Sequence, residues 1–143
     1  MNVPKLALEA VEGLILAEQE RQKGRFIEKV GVDEYIGKIK KKSEIFCHYV
    51  EGDCAGFVAF YCNDMERHEA YITLVLTNPR YRGMHIAKNL IVMTLASAKT
   101  RGFKSCALEV KNDNESAIAL YESLGFSVFE KKQYSRIMKV PLI

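Results

Sequence analysis

The stretch that decides the fold is Thr77-Asn78-Pro79-Arg80-Tyr81-Arg82-Gly83-Met84-His85-Ile86-Ala87-Lys88-Asn89-Leu90. The residues before it, Tyr71-Ile72-Thr73-Leu74-Val75-Leu76, are rich in β-branched and aromatic side chains and predict a buried strand. Pro79 cannot continue a strand ladder and favours a turn. Beyond the turn, Ile86, Leu90 and Met93, with Ala87, Ile91 and Leu95, recur at helical spacing and predict the buried face of a helix. The order is therefore strand, basic loop, helix. A helix that opens on such a loop offers unpaired backbone N–H groups and the positive end of its dipole, with Arg80 and Arg82 close in sequence. That chemistry suits an anion, phosphate above all; the competing reading is an ordinary strand-to-helix turn with surface arginines.

Working outward towards the N-terminus, the alternation of apolar runs and turn signals predicts a hairpin. Its strands are 45–50 and 54–61, and its turn is Gly52-Asp53. Residues 63–68 are polar and read as the turn into the strand at 71–76. Two helices precede the hairpin. In the first, Pro4 suits an opening turn, Leu8, Val11, Leu14 and Ile15 line one face, and the end falls near Gly24. The second covers 32–42, with Lys38, Lys40, Lys41 and Lys42 at its C-terminal end, where they complement the dipole; a nucleic-acid patch is the weaker reading.

Towards the C-terminus, Gly102 caps the central helix, and Cys106, Leu108 and Val110 alternate as a strand with Ala107 and Glu109 on its other face. Asn112-Asp113-Asn114 supplies capping side chains for a helix over 115–124 that Gly125 closes. A last hairpin joins 126–129 to 134–140. Asn114 and Tyr121 lie almost two helical turns apart and share a face, with the small Ala117 between them. Read alone, Tyr121 is equally well a core aromatic and Asn114 only a cap.

The chain has 143 residues, 48% of them apolar and 27% charged, with a net charge of +3. Those values fit one ordinary globular domain over 1–143 and are too mild to argue for nucleic acid. Cys47, Cys54, Cys62 and Cys106 form no C-x-x-C pair and no zinc spacing, and three of them fall in apolar strands, so they read as buried thiols of a cytoplasmic protein without a metal. No targeting segment or long apolar run is visible, and no membrane association is expected. The sequence lacks both G-x-x-x-x-G-K-[ST] and G-x-G-x-x-G.

Taken together, Arg82-Gly83-Met84-His85-Ile86-Ala87, preceded by Pro79 and Tyr81, and Asn114, Ala117, Leu120-Tyr121 and Gly125-Phe126 resemble the two signature motifs of the GCN5-related N-acetyltransferases (GNAT). The resemblance runs from about Ile45 to the end, and its second motif is most similar to the branch that acetylates ribosomal-protein alanine. It implies an α/β (α+β) acyl-CoA N-acyltransferase fold, a central mixed, mostly antiparallel sheet of about six strands flanked by about four helices. The implied activity moves the acetyl group of acetyl-CoA to a primary amine: a protein N-terminus, a small amine or an amino sugar. The implied cofactor residues are Val75, Leu76 and Thr77, whose backbone N–H groups polarise the thioester carbonyl, the loop residues Arg82, Gly83, Met84, His85, Ile86, Ala87 and Lys88, and Asn114 with Tyr121.

Tyr121 matches the family tyrosine that protonates the departing thiolate, which a phenol of pKa about 10 can do for a thiol near 8.5. Glu109 occupies the place of a strand glutamate proposed as general base, against the reading of a solvent-facing residue. His85 departs from the family, which has glycine there; a position at a helix N-terminus does not by itself demand positive φ, so the side chain is expected to be tolerated. His48 and His68 have no motif support. The opening strand of the family is not evident before Leu6, with only a weak candidate at Phe26-Ile27, which leaves the acceptor open. Many members pair as homodimers, though nothing in these residues selects an interface. The rival function is a non-catalytic acyl-CoA-binding domain, which needs neither Tyr121 nor Glu109.

Overall fold

Helix α1 (Lys5–Arg21) and helix α2 (Val32–Lys42) come first, followed by strands β1 (Glu44–Val50), β2 (Asp53–Asp64) and β3 (Glu69–Thr77). A single 3₁₀ turn, Pro79–Tyr81, leads into α3 (Ile86–Thr100), then β4 (Ser105–Lys111), α4 (Glu115–Ser123), β5 (Ser127–Lys131) and β6 (Ser135–Pro141). This computed structural model describes residues 5–143, so the expectation for Pro4 lies outside the described residues. The six strands form one mixed sheet in the order β1-β2-β3-β4-β6-β5. The chain divides into two compact units, one of residues up to Ala59 with Val75–Leu90, the other of Phe60–Leu74 with Ile91–Ile143. The boundaries fall inside β2, β3 and α3.

In the first unit, Val11 and Ile15 of α1 and Ile36 and Ile39 of α2 are buried, which is the helical stripe that the apolar spacing demands. Gly24, at φ +82, donates its N–H to the Gln19 carbonyl at 2.8 Å and so closes α1 where expected. No strand forms at Phe26-Ile27. Instead the Gln19 side chain brackets Ile27, accepting its N–H at 2.7 Å and donating to its carbonyl at 2.9 Å, as a neighbouring strand would. Lys40 reaches Glu12 of α1 at 3.5 Å. β1 and β2 are sheet neighbours joined through Glu51 and Gly52, both at positive φ, the backbone of a tight two-residue hairpin turn. Ala55, Phe57, Val58 and Ala59 of β2 are fully buried.

In the second unit β2 runs to Asp64, so Asn63, expected in a turn, belongs to the strand. All four cysteines consequently lie in strands, Cys54 and Cys106 buried and Cys47 and Cys62 half-buried, and none is in a disulfide. β3 pairs parallel with β4 over Glu69↔Ser105 to Ile72↔Leu108. β6 pairs antiparallel with β4 along its whole length, Ser105↔Pro141 to Lys111↔Ser135, and with β5 on its other side, where a bulge falls between Val128 and Glu130. Cys106, Leu108 and Met138 fill the core here. The stripe that α3 buries is Ile86, Leu90, Ile91, Thr94 and Ala98, while Met93, expected on that face, is 46% exposed. Thr94, fully buried, takes the inward place instead.

Candidate active site

The basic loop belongs to the first unit and is tied down at both ends. Asn78 donates its backbone N–H to the Ala55 carbonyl at 2.8 Å and its side-chain amide to the Cys54 carbonyl at 3.2 Å. The Asn78 carboxamide oxygen accepts the Arg80 N–H at 3.1 Å, which starts the turn that Pro79 predisposes. The Tyr81 hydroxyl donates to Asp53 at 2.7 Å, and that hydrogen bond to a carboxylate raises the phenol above its ordinary pKa. Arg80 also reaches Asp53, at 3.3 Å, so this cation is committed to holding the loop. Arg82, Gly83, Met84, His85 and Lys88 are exposed.

Gly83 has φ +81 and His85 φ +58, both in the left-handed region. The tolerance expected at position 85 therefore rested on the wrong geometry: His85 does adopt the conformation that the family's glycine would take without strain. The reason is the turn itself, which must reverse after Gly83 and still enter α3 at Ile86. The first helical bond comes from Asn89 to the His85 carbonyl at 3.0 Å. The N–H groups of Ile86, Ala87 and Lys88 precede it and have no intrahelical acceptor. The first turn carries no acidic residue. The loop and helix thus present backbone donors, a dipole end and the side chains of Arg82 and Lys88, a donor set that fits a pyrophosphate. Val75, Leu76 and Thr77 form the end of β3 from which this loop leaves.

The second group of expected residues stands in the second unit. Asn114 caps α4, its side chain accepting the Ala117 N–H at 3.3 Å, so the capping reading holds. Tyr121 is half-buried in α4, its ring 5.8 Å from that of Phe126, and burial pushes its pKa up to about 12. The phenol therefore stays neutral across the physiological range and is available only as a proton donor. Glu109, exposed on β4, accepts from the Ser135 hydroxyl at 2.5 Å and faces the Lys132 ammonium at 3.7 Å. Both partners come from the end of the β5–β6 hairpin, which the sequence did not connect to Glu109.

Among the remaining expectations, His48 is half-buried in β1, and His68 stands edge-on to Phe103 with 6.4 Å between ring centres, both structural placements. The Cys47 and Cys54 thiols hydrogen-bond each other, which lowers the pKa of Cys54 and raises that of Cys47. Among the described residues no group of three or more His, Cys, Asp or Glu side chains could hold a metal ion. A shallow groove of about 360 Å³ between α1 and α2, lined by Glu12, Asp33, Ile36, Gly37, Lys40 and Lys41, contains none of the expected site residues.

These features define a class: an α+β scaffold with an exposed, basic, donor-rich loop at a helix N-terminus and a half-buried phenol on a separate helix. The model of the acetyltransferase (GNAT) family matches residues 10–126, and the chain belongs to that family. Among relatives, N-alpha-acetyltransferase 30 of Schizosaccharomyces pombe is 38% identical over 61 residues, 43% of this chain and 41% of that protein. The [ribosomal protein bS18]-alanine N-acetyltransferase of Escherichia coli K12 is 33% identical over 69 residues, 48% of this chain and 47% of that protein. The matched stretches thus span less than half of these relatives. The fold is also that of PaiA N-acetyltransferase from Thermoplasma acidophilum, solved in complex with coenzyme A: TM-score 0.77, 16% identity, 99% of this chain and 96% of that one.

Proposed function

We propose that the chain acts, as one domain over 1–143, as an acetyl-CoA-dependent N-acetyltransferase whose acceptor is the α-amine of a polypeptide. The observation that carries the activity is the family match over residues 10–126 together with the donor-rich loop from Arg82 to Lys88. The acceptor class is supported by the names of the relatives given above, one an N-alpha-acetyltransferase and the other an N-acetyltransferase of a ribosomal-protein alanine.

In this reading the backbone N–H groups of 83–88, with Arg82 and Lys88, hold the cofactor pyrophosphate, and Val75, Leu76 and Thr77 run alongside its thioester arm. The neutral amine attacks the thioester carbonyl, whose oxygen a backbone N–H near Leu76 polarises. As the carbon–sulfur bond breaks, the leaving thiolate takes the Tyr121 proton, and the amine gives its proton to Glu109 directly or through a water. The elevated Tyr121 pKa supports the acid role, since it excludes phenolate near neutrality. Ser135 and Lys132 would orient the Glu109 carboxylate. Asn114 adds a cofactor contact in this proposal beyond its cap.

The deciding experiment offers acetyl-CoA with a panel of short peptides, small amines and amino sugars, and follows free thiol release. Peptide-dependent release is expected. Release with small amines alone overturns the acceptor class, and none with any amine, despite coenzyme A binding, leaves the non-catalytic acyl-CoA-binding reading. Cytoplasmic residence without nucleic-acid or membrane binding belongs to the same proposal; among the described residues no helix is long and apolar enough to cross a membrane. The homodimer rests on family habit, and light scattering decides it.

A further inference from the structure

Four consecutive residues that open β2 each meet the segment leading from β3 into α3. Asp53 accepts from Tyr81 at 2.7 Å and from Arg80 at 3.3 Å. The Cys54 and Ala55 carbonyls accept from Asn78, at 3.2 Å and 2.8 Å. At Gly56 a β-carbon would stand 2.8 Å from the Leu76 carbonyl oxygen, 2.8 Å from Ile86 Cγ2 and 3.4 Å from Thr77 Cα. The first of these neighbours is backbone and cannot swing aside, and the second belongs to a side chain only 3% exposed. Gly56 does not lie in the left-handed region, so glycine is required here by space alone.

We propose that Gly56 is a positioning residue for the cofactor. Its missing side chain lets β2 seat the Leu76–Thr77 backbone and the head of α3 at once. It thereby sets the spacing between the strand end that faces the thioester and the helix end that faces the pyrophosphate. Asp53, Cys54 and Ala55 hold the intervening loop to the same strand. This rests on the reading of that loop as the coenzyme A site. A methyl group at 56 must part β2 from Leu76 or from Ile86, and displacements of about an ångström in such sites cost up to about a hundredfold.

The test compares wild type, Gly56→Ala and Gly102→Ala, with circular dichroism for folding, calorimetry for coenzyme A affinity and steady-state kinetics. Gly102, at φ +89 with open space around it, gives a variant destabilised by backbone strain alone. Gly56→Ala is expected to bind coenzyme A about tenfold more weakly and to raise KM for acetyl-CoA while KM for the amine stays within twofold. Gly102→Ala is expected to lose thermal stability with unchanged coenzyme A affinity. Coenzyme A affinity within twofold of wild type in a folded Gly56→Ala overturns the proposal. If that variant does not fold, Asp53→Ala, which frees Tyr81 and Arg80 at a half-buried position, is expected to weaken coenzyme A binding at least threefold, and unchanged affinity overturns the proposal. A wild-type protein that fails to bind coenzyme A overturns the proposed function and this inference with it.

Discussion

In the proposed mechanism the leaving thiolate takes its proton from Tyr121, and a single substitution there tests that role. Tyr121→Phe removes one hydroxyl from a half-buried ring and keeps its packing on Phe126. If the phenol protonates the thiolate, kcat falls about a hundredfold or more while KM for acetyl-CoA changes little, as general-acid losses do. The same substitution reports on stability at high pH. In the folded chain the phenol titrates near 12 because burial disfavours phenolate, whereas in the unfolded chain it titrates near its ordinary value of 10. Between those values the unfolded state has lost a proton that the folded state keeps, so the contribution is full below about pH 10 and is lost as pH rises towards 12. Wild type should therefore lose melting temperature across that window more steeply than Tyr121→Phe; parallel curves would show that the phenol is not protected.

His85 is legible in a different way. Its identity as the irregular member of the motif is plain from sequence, but its φ of +58 is not, because composition does not say how a loop must turn to enter a helix. Relieving that conformation with His85→Gly should stabilise the chain by about 1 kcal/mol, offset in part by the entropy of glycine, and leave coenzyme A affinity equal or tighter. Calorimetry reads both, and a marked loss of affinity would mean that the imidazole itself holds phosphate.

Elements were legible where one local signal sufficed. The bounds of α2 follow from its apolar spacing and its terminal lysines, and the 3₁₀ turn follows from Asn78-Pro79. Elements set by distant partners were not. Asn63 and Asp64 carry turn chemistry, yet they extend β2, and on α3 the buried place expected for Met93 goes to Thr94. The insertion of β6 between β4 and β5 depends on pairing across more than twenty residues. For the site, the run Cys54-Ala55-Gly56-Phe57-Val58 did carry a signal, an isolated glycine in an apolar strand, which marks close backbone approach. The α4 cap gives this scale its prediction. Asn114→Ala should cost about 1 kcal/mol of stability, and Asn114→Asp, which keeps the acceptor for the Ala117 N–H, should restore it. If coenzyme A affinity falls equally in both variants, the lost amide was also a ligand contact; if affinity follows stability, Asn114 is a cap only.

For the whole molecule, the cofactor is expected to be a structural partner as well as a reactant. The basic loop, the left-handed Gly83 and His85 and the first turn of α3 concentrate backbone donors that the helix itself leaves without an acceptor. A ligand that engages them binds the folded state and not the unfolded one, so stability rises by mass action. At a coenzyme A concentration about a hundredfold above Kd the gain is about 2.7 kcal/mol. For a chain of this length that raises the melting temperature by roughly 5–10 °C. The rise should continue logarithmically with concentration and should shrink with pantetheine, which lacks the pyrophosphate. A melting temperature that ignores coenzyme A, or that responds equally to pantetheine, would separate the loop from the pyrophosphate. The dipole end of α3 would then serve only to turn the chain.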